Sequence, residues 1–145
     1  MFTISSTGPT ELIAVGLAPG DLLLESIEKA VTEHDVQYGA VISGIGTMKK
    51  TRLHYVNDCE FPPTDVMYDI EEPFELASID GLIVDGKPHL HISGMVRDQK
   101  AYAGHLEPGS EVLYLAEVLI MKCNDLAMTR EADTERKIKL LKAKE

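Results

Sequence analysis

Pro73-Phe74-Glu75-Leu76-Ala77-Ser78-Ile79-Asp80-Gly81-Leu82-Ile83-Val84-Asp85-Gly86-Lys87-Pro88-His89-Leu90-His91-Ile92-Ser93 is the stretch that decides the fold. Asp85-Gly86 is a strong hairpin signal, because both central positions of a type I′ turn need positive φ. The turn joins a long strand, Phe74 to Val84, to a returning strand, His89 to Val96. A bulge or bend is expected at Asp80-Gly81, where glycine tolerates the dihedrals that a bulge requires. Side chains alternate along a strand, so Leu90 and Ile92 supply a core-facing surface while His89 and His91 project together from the other.

Working outward from the hairpin, short β-prone runs with turn chemistry between them dominate. Upstream they are Thr10 to Leu17, Tyr38 to Ser43 and Thr51 to Val56, with Gly44-Ile45-Gly46 read as a break. Cys59 to Thr64 holds two prolines and reads as a loop. Downstream are Ala101 to Leu106 and Val112 to Lys122, separated by the turn Glu107-Pro108-Gly109-Ser110. The tail alternates, and Leu126 to Arg130 with Lys137 to Leu141 is expected to form a last hairpin whose lysines discourage edge pairing. One secure helix follows Ala18-Pro19-Gly20. Asp21 is its expected cap, Leu23, Ile27, Ala30 and Val31 line one face, and Glu25, Glu28, Lys29 and Glu33 face water. The fold class is therefore α/β (α+β): a largely antiparallel β-sheet with one or two packed helices, in one domain over residues 1–145.

Composition narrows the function classes. The chain has 145 residues, 44% of them hydrophobic and 26% charged, which suits one ordinary globular domain that needs no staples. Its longest apolar stretch, Val112 to Met121, is interrupted by Glu117 and falls short of the ~20 residues that span a bilayer. With no basic and apolar leader at Met1 to Ser6, a cytoplasmic location without membrane contact is expected. Cys59 and Cys123 are expected as free thiols packed like small hydrophobes. The formal charge of −10 opposes direct binding to DNA, whose phosphates are neutralised by Lys and Arg.

Two imidazoles two residues apart on a strand reach one ion, and imidazole suits zinc, copper, nickel and iron. His105 lies 14 residues beyond His91, the distance of a strand, a tight turn and a return. An antiparallel pairing then sets it beside the first two, so His89, His91 and His105 are candidate metal ligands, or else histidines that share an exposed strand face by chance. No fourth protein ligand is evident, and an open position is what catalytic zinc sites have. Glu75 and Glu117 each interrupt an apolar strand pattern. They are the catalytic candidates, as general base, support to a ligand, or ion-pair partner of Arg52 or Arg97, or else simply groups on a solvated face. His34 and His54 read as isolated. Ser43-Gly44-Ile45-Gly46-Thr47 lacks the Gly-Lys-Ser/Thr ending of a phosphate loop and precedes a strand.

Four ordered segments, Ala40 to Gly46, Pro73 to Gly81, Pro88 to Ser93 and Gly104-His105-Leu106, together resemble the PPC domain, named for its occurrence in plants and prokaryotes. The similarity runs from about Glu11 to Leu141. It implies a largely antiparallel sheet with a packed helix, assembly as a homotrimer, and a divalent metal, zinc-like, at the positions matched by His89, His91 and His105. Glu117 would then be able to reach a neighbour's site. The first functional expectation is a trimeric protein that binds this metal with its biochemical role unassigned; hydrolase or lyase chemistry on a small-molecule ligand is the simplest activity such an ion would allow. The alternative is a DNA-binding or transcription-associated interaction module, since plant members join the domain to an AT-hook. This sequence contains no Arg-Gly-Arg-Pro element and resembles the stand-alone prokaryotic type.

Overall fold

In the computed structural model, which describes residues 1–144, a single 19-residue strand organises the chain. The strands are β1 (Thr10–Leu17), β2 (Tyr38–Val56), β3 (Asp65–Ile70), β4 (Phe74–Val84), β5 (Lys87–Met95), β6 (Ala101–Leu106), β7 (Glu111–Cys123), β8 (Met128–Asp133) and β9 (Ile138–Ala143). One α-helix, α1 (Leu23–Glu33), follows β1, and a short 3-10 turn at Arg97–Gln99 joins β5 to β6. The fold is mostly antiparallel sheet with a single helix, as expected.

The first half of β2 lies between β4 and β7, and its second half between β3 and β6. Because β4, β5 and β6 also pair in series, β2–β4–β5–β6 closes into a ring at Leu53↔Leu106 and His54↔His105. Closure pairs β6 back to β2 and leaves β1 and β3 as the edge strands of this sheet. Leu53, Phe74, Leu76, Ile79, Leu90, Ile92 and Leu106 fill the interior and are buried almost completely. Helix α1 packs on β1, β5 and β7 through Leu23, Ile27 and Val31.

The structure departs from the sequence expectations at several residues. Gly44-Ile45-Gly46 is no break: both glycines lie within β2 because neighbours come too close for a side chain. A Cβ on Gly44 would stand 1.8 Å from Ile79 Cγ2, and one on Gly46 would stand 2.6 Å from the Leu115 carbonyl oxygen. The irregularity in β4 falls between Leu76 and Ser78 rather than at Asp80-Gly81. Gly81 stays in register opposite Leu90, although its φ of 148° and the nearby His89 carbonyl demand glycine. Asp21 does not cap α1. Its carboxylate accepts the Ala18 N–H at 2.8 Å and closes the turn before the helix. Glu25 is half-buried rather than solvated, accepting the Gly109 N–H at 2.9 Å. β3 is an additional strand, and of the two free cysteines Cys59 is exposed while Cys123 is buried.

Asp85-Gly86 does form the predicted turn, with φ of 51° and 69°. The tail hairpin also forms, as a separate two-stranded sheet of β8 and β9. Among the described residues no helix is long and apolar enough to cross a membrane.

Candidate metal centre

Strand β5 buries Leu90 and Ile92 in the ring and turns His89 and His91 outward. Strand β6 pairs with it so that His105 stands directly across from His91. Their ring centroids are 5.6 Å apart, those of His89 and His91 are also 5.6 Å apart, and those of His89 and His105 are 4.8 Å apart. The three offer one ring nitrogen each, all within 4.8 Å of one another. A tetrahedral ion with Zn–N near 2.0–2.1 Å would hold its nitrogens about 3.4 Å apart, so small ring rotations bring this set onto one ion. The donor set thus fits a zinc-like metal.

His54, which reads as isolated in the sequence, belongs to the same cluster. It lies opposite His105 across the ring closure, with the two imidazoles stacked at 4.5 Å between centroids. Its Nδ1 is 2.6 Å from Glu107 Oε1. His54, His105 and Glu107 form a second group whose ligand atoms lie within 4.8 Å of one another, so His105 is common to both groups. Glu107 is held in place by its neighbours: buried Ser110 accepts the Arg52 N–H at 2.9 Å and lies 3.2 Å from the Glu107 carbonyl. His34 stays apart, at the C-terminal end of α1.

Burial, reinforced by the neighbouring histidines, pushes the pKa of His105 from 6.5 down to about 4. Burial also lowers that of His89, helped by the Arg130 charge. A metal ligand must be unprotonated, and His105 meets that requirement at neutral pH without the ion. Glu75 and Glu117 are exposed and belong to neither group. Glu75 lines a cleft with Thr47, Met95 and Tyr114. Glu117 lies on the outer face of β1–β7–β2, beside Ile45 and Gly16. Arg52 pairs with Asp69 at 2.8 Å instead of with either glutamate, and Arg97 joins no ion pair among the described residues.

Residues 4–124 match the model of the Plants and Prokaryotes Conserved (PCC) domain. The chain belongs to this family. A plant- and prokaryote-conserved (PPC) protein of Pyrococcus horikoshii superposes with a TM-score of 0.78, at 25% identity over 100% of this chain and 99% of that one. A metal-containing protein from Archaeoglobus fulgidus has a TM-score of 0.79 at 23% identity, covering 97% of this PPC chain and 98% of its own. A candidate DNA-binding protein from Bacteroides thetaiotaomicron has a TM-score of 0.79 at 17% identity, covering 95% and 96%. Among curated proteins, the bifunctional protein GlmU of Synechococcus sp. strain JA-3-3Ab is 24% identical over 127 residues, 88% of this chain. The PPC chain spans about a fifth of the length of the curated relatives it matches, 20% and 19%.

Proposed function

We propose that this PPC protein binds one divalent, zinc-like ion through His89, His91 and His105. The convergence of three imidazoles from two adjacent strands, with His105 kept neutral by its surroundings, carries the reading. With three protein ligands, such an ion supplies Lewis acidity at an open position, the chemistry of hydrolysis and lyase reactions. Beside the three stands His54, stacked on His105 at 4.5 Å between ring centroids. Glu107 at its Nδ1, 2.6 Å away, and Asp65 at its Nε2, 3.9 Å away, hold the ring in place.

A homotrimer is part of the proposal. Leu12, Ile45, Tyr114 and Leu115 are large, apolar and exposed on the β1–β7–β2 side of the sheet, an unusual expanse for a surface that stays in water. A head-to-tail ring of copies would cover it and bring Glu117 toward a neighbour. Light scattering at several concentrations tests the assembly. The DNA-associated alternative has the charge of −10 against it. An interaction role would use the same apolar face.

Metal analysis of protein purified without a histidine tag tests the centre. About one zinc-like ion per chain is expected, lost on His91→Ala. A stoichiometry far below one, unchanged in the variant, removes the proposal.

A further inference from the structure

The β8–β9 hairpin lies outside the family match and shares a cleft with two of the imidazoles. Its Arg130 and Lys139, with Leu141, line one cleft of about 310 Å³ together with Leu82, His89 and His91. Register explains the selection: Arg130 pairs with Leu141 and Ala132 with Lys139, so alternate residues of both strands share the face turned to the cleft.

Arg130 is half-buried and anchored by two backbone carbonyls, those of Leu82 at 3.3 Å and Lys87 at 3.4 Å. A guanidinium carries five N–H donors, so these bonds fix the fork without exhausting it. Among the described residues neither Arg130 nor Lys139 has a carboxylate partner, in a chain with 24 acidic and 14 basic residues. Asp85, the acidic group whose charge Arg130 feels, is held by Lys144 at 2.7 Å. Asp80, across from His91, accepts the Ser78 hydroxyl at 3.2 Å. A partly desolvated cation without a counter-charge is costly unless an anion completes it.

We propose that Arg130 and Lys139 form an oxyanion subsite beside the imidazoles, so the ligand of this centre is a small carboxylate or phosphate. The proposal rests on the metal reading and deepens it. Arg130 takes two oxygens through its planar fork, and Lys139 adds a mobile charge from the opposite strand of the hairpin. The third element is the apolar part of the lining, Leu82 and Leu141.

Calorimetric titration of zinc-loaded protein with inorganic phosphate and, separately, with succinate tests this. Binding of either anion is expected, and the tighter one identifies the ligand class. Arg130→Gln should weaken it by about tenfold or more, with the zinc content per chain unchanged. Lys139→Gln alters an exposed side chain, so its weaker binding supports the subsite even where Arg130→Gln fails to fold. Wild-type affinity in both variants overturns the subsite, as does absence of binding by both anions at low salt. If the wild type takes up no zinc yet binds an anion through Arg130, the subsite stands and the metal reading falls. Zinc uptake without anion binding gives the reverse.

Discussion

His105 belongs to both donor groups, so His105→Ala is the substitution that separates metal binding from a surface cluster of histidines. An ion that binds only the folded protein stabilises it by RT ln(1 + [L]/Kd), about 2.7 kcal/mol at free zinc a hundredfold above Kd. For a domain of this size, about 2–4 °C accompanies each kcal/mol, so wild-type protein should melt about 5–11 °C higher with zinc than with chelator. Loss of a ligand that weakens binding about a hundredfold leaves about 0.4 kcal/mol at the same zinc concentration, or about 1–2 °C. His54→Ala and Glu107→Gln distinguish the two groups. If the pair only orients His105, a tenfold weakening leaves about 1.4 kcal/mol of the shift. Differential scanning fluorimetry on tag-free protein, with zinc buffered by a chelator, reads all three. A zinc-induced shift in His105→Ala equal to that of the wild type would refute the shared-ligand geometry.

The zinc-free protein should lose stability as pH falls from 6.5 toward about 4, because the unfolded chain accepts a proton at His105 that the folded chain excludes. The contribution is fully present above 6.5. His105→Asn should flatten that part of a pH series of melting temperatures, and an unchanged slope would contradict the assignment. Gly44→Ala would set a methyl 1.8 Å from Ile79 Cγ2 and should cost about 1–3 kcal/mol in urea unfolding; a neutral result would mean β2 and β4 separate freely there. Ser110→Ala leaves the Arg52 N–H without its 2.9 Å acceptor inside the protein and should cost about 1–3 kcal/mol, with weaker zinc binding because the turn holding Glu107 loosens. Equal stability of variant and wild type would show that water replaces the hydroxyl.

What the sequence revealed was local. The Asp85-Gly86 turn announces itself because its dihedrals suit few residues, and the alternation around it sends His89 and His91 to one side. His105 was within reach because one tight turn and a strand separate it from His91. The tail hairpin was legible through alternation alone, with each strand one residue longer than the pattern suggested and shifted toward the C-terminus. His54 was not legible. Its contact with His105 depends on a ring closing across 51 residues, and no local period encodes that meeting. Gly44 and Gly46 misled because glycine for close approach and glycine for a turn look alike in one sequence. Asp21 misled for a related reason, since one carboxylate serves either the turn before a helix or its first amides.

The seam at Leu53↔Leu106 and His54↔His105 also makes the histidine cluster a witness to folding. β2 is made early in the chain and β6 late, so the stacked pair exists only after the intervening strands have found their places. Contacts between residues so distant in sequence are expensive in loop entropy and tend to form slowly. An ion bridging His105 to its neighbours would therefore act chiefly as a latch, slowing the opening of a finished ring far more than hastening its assembly.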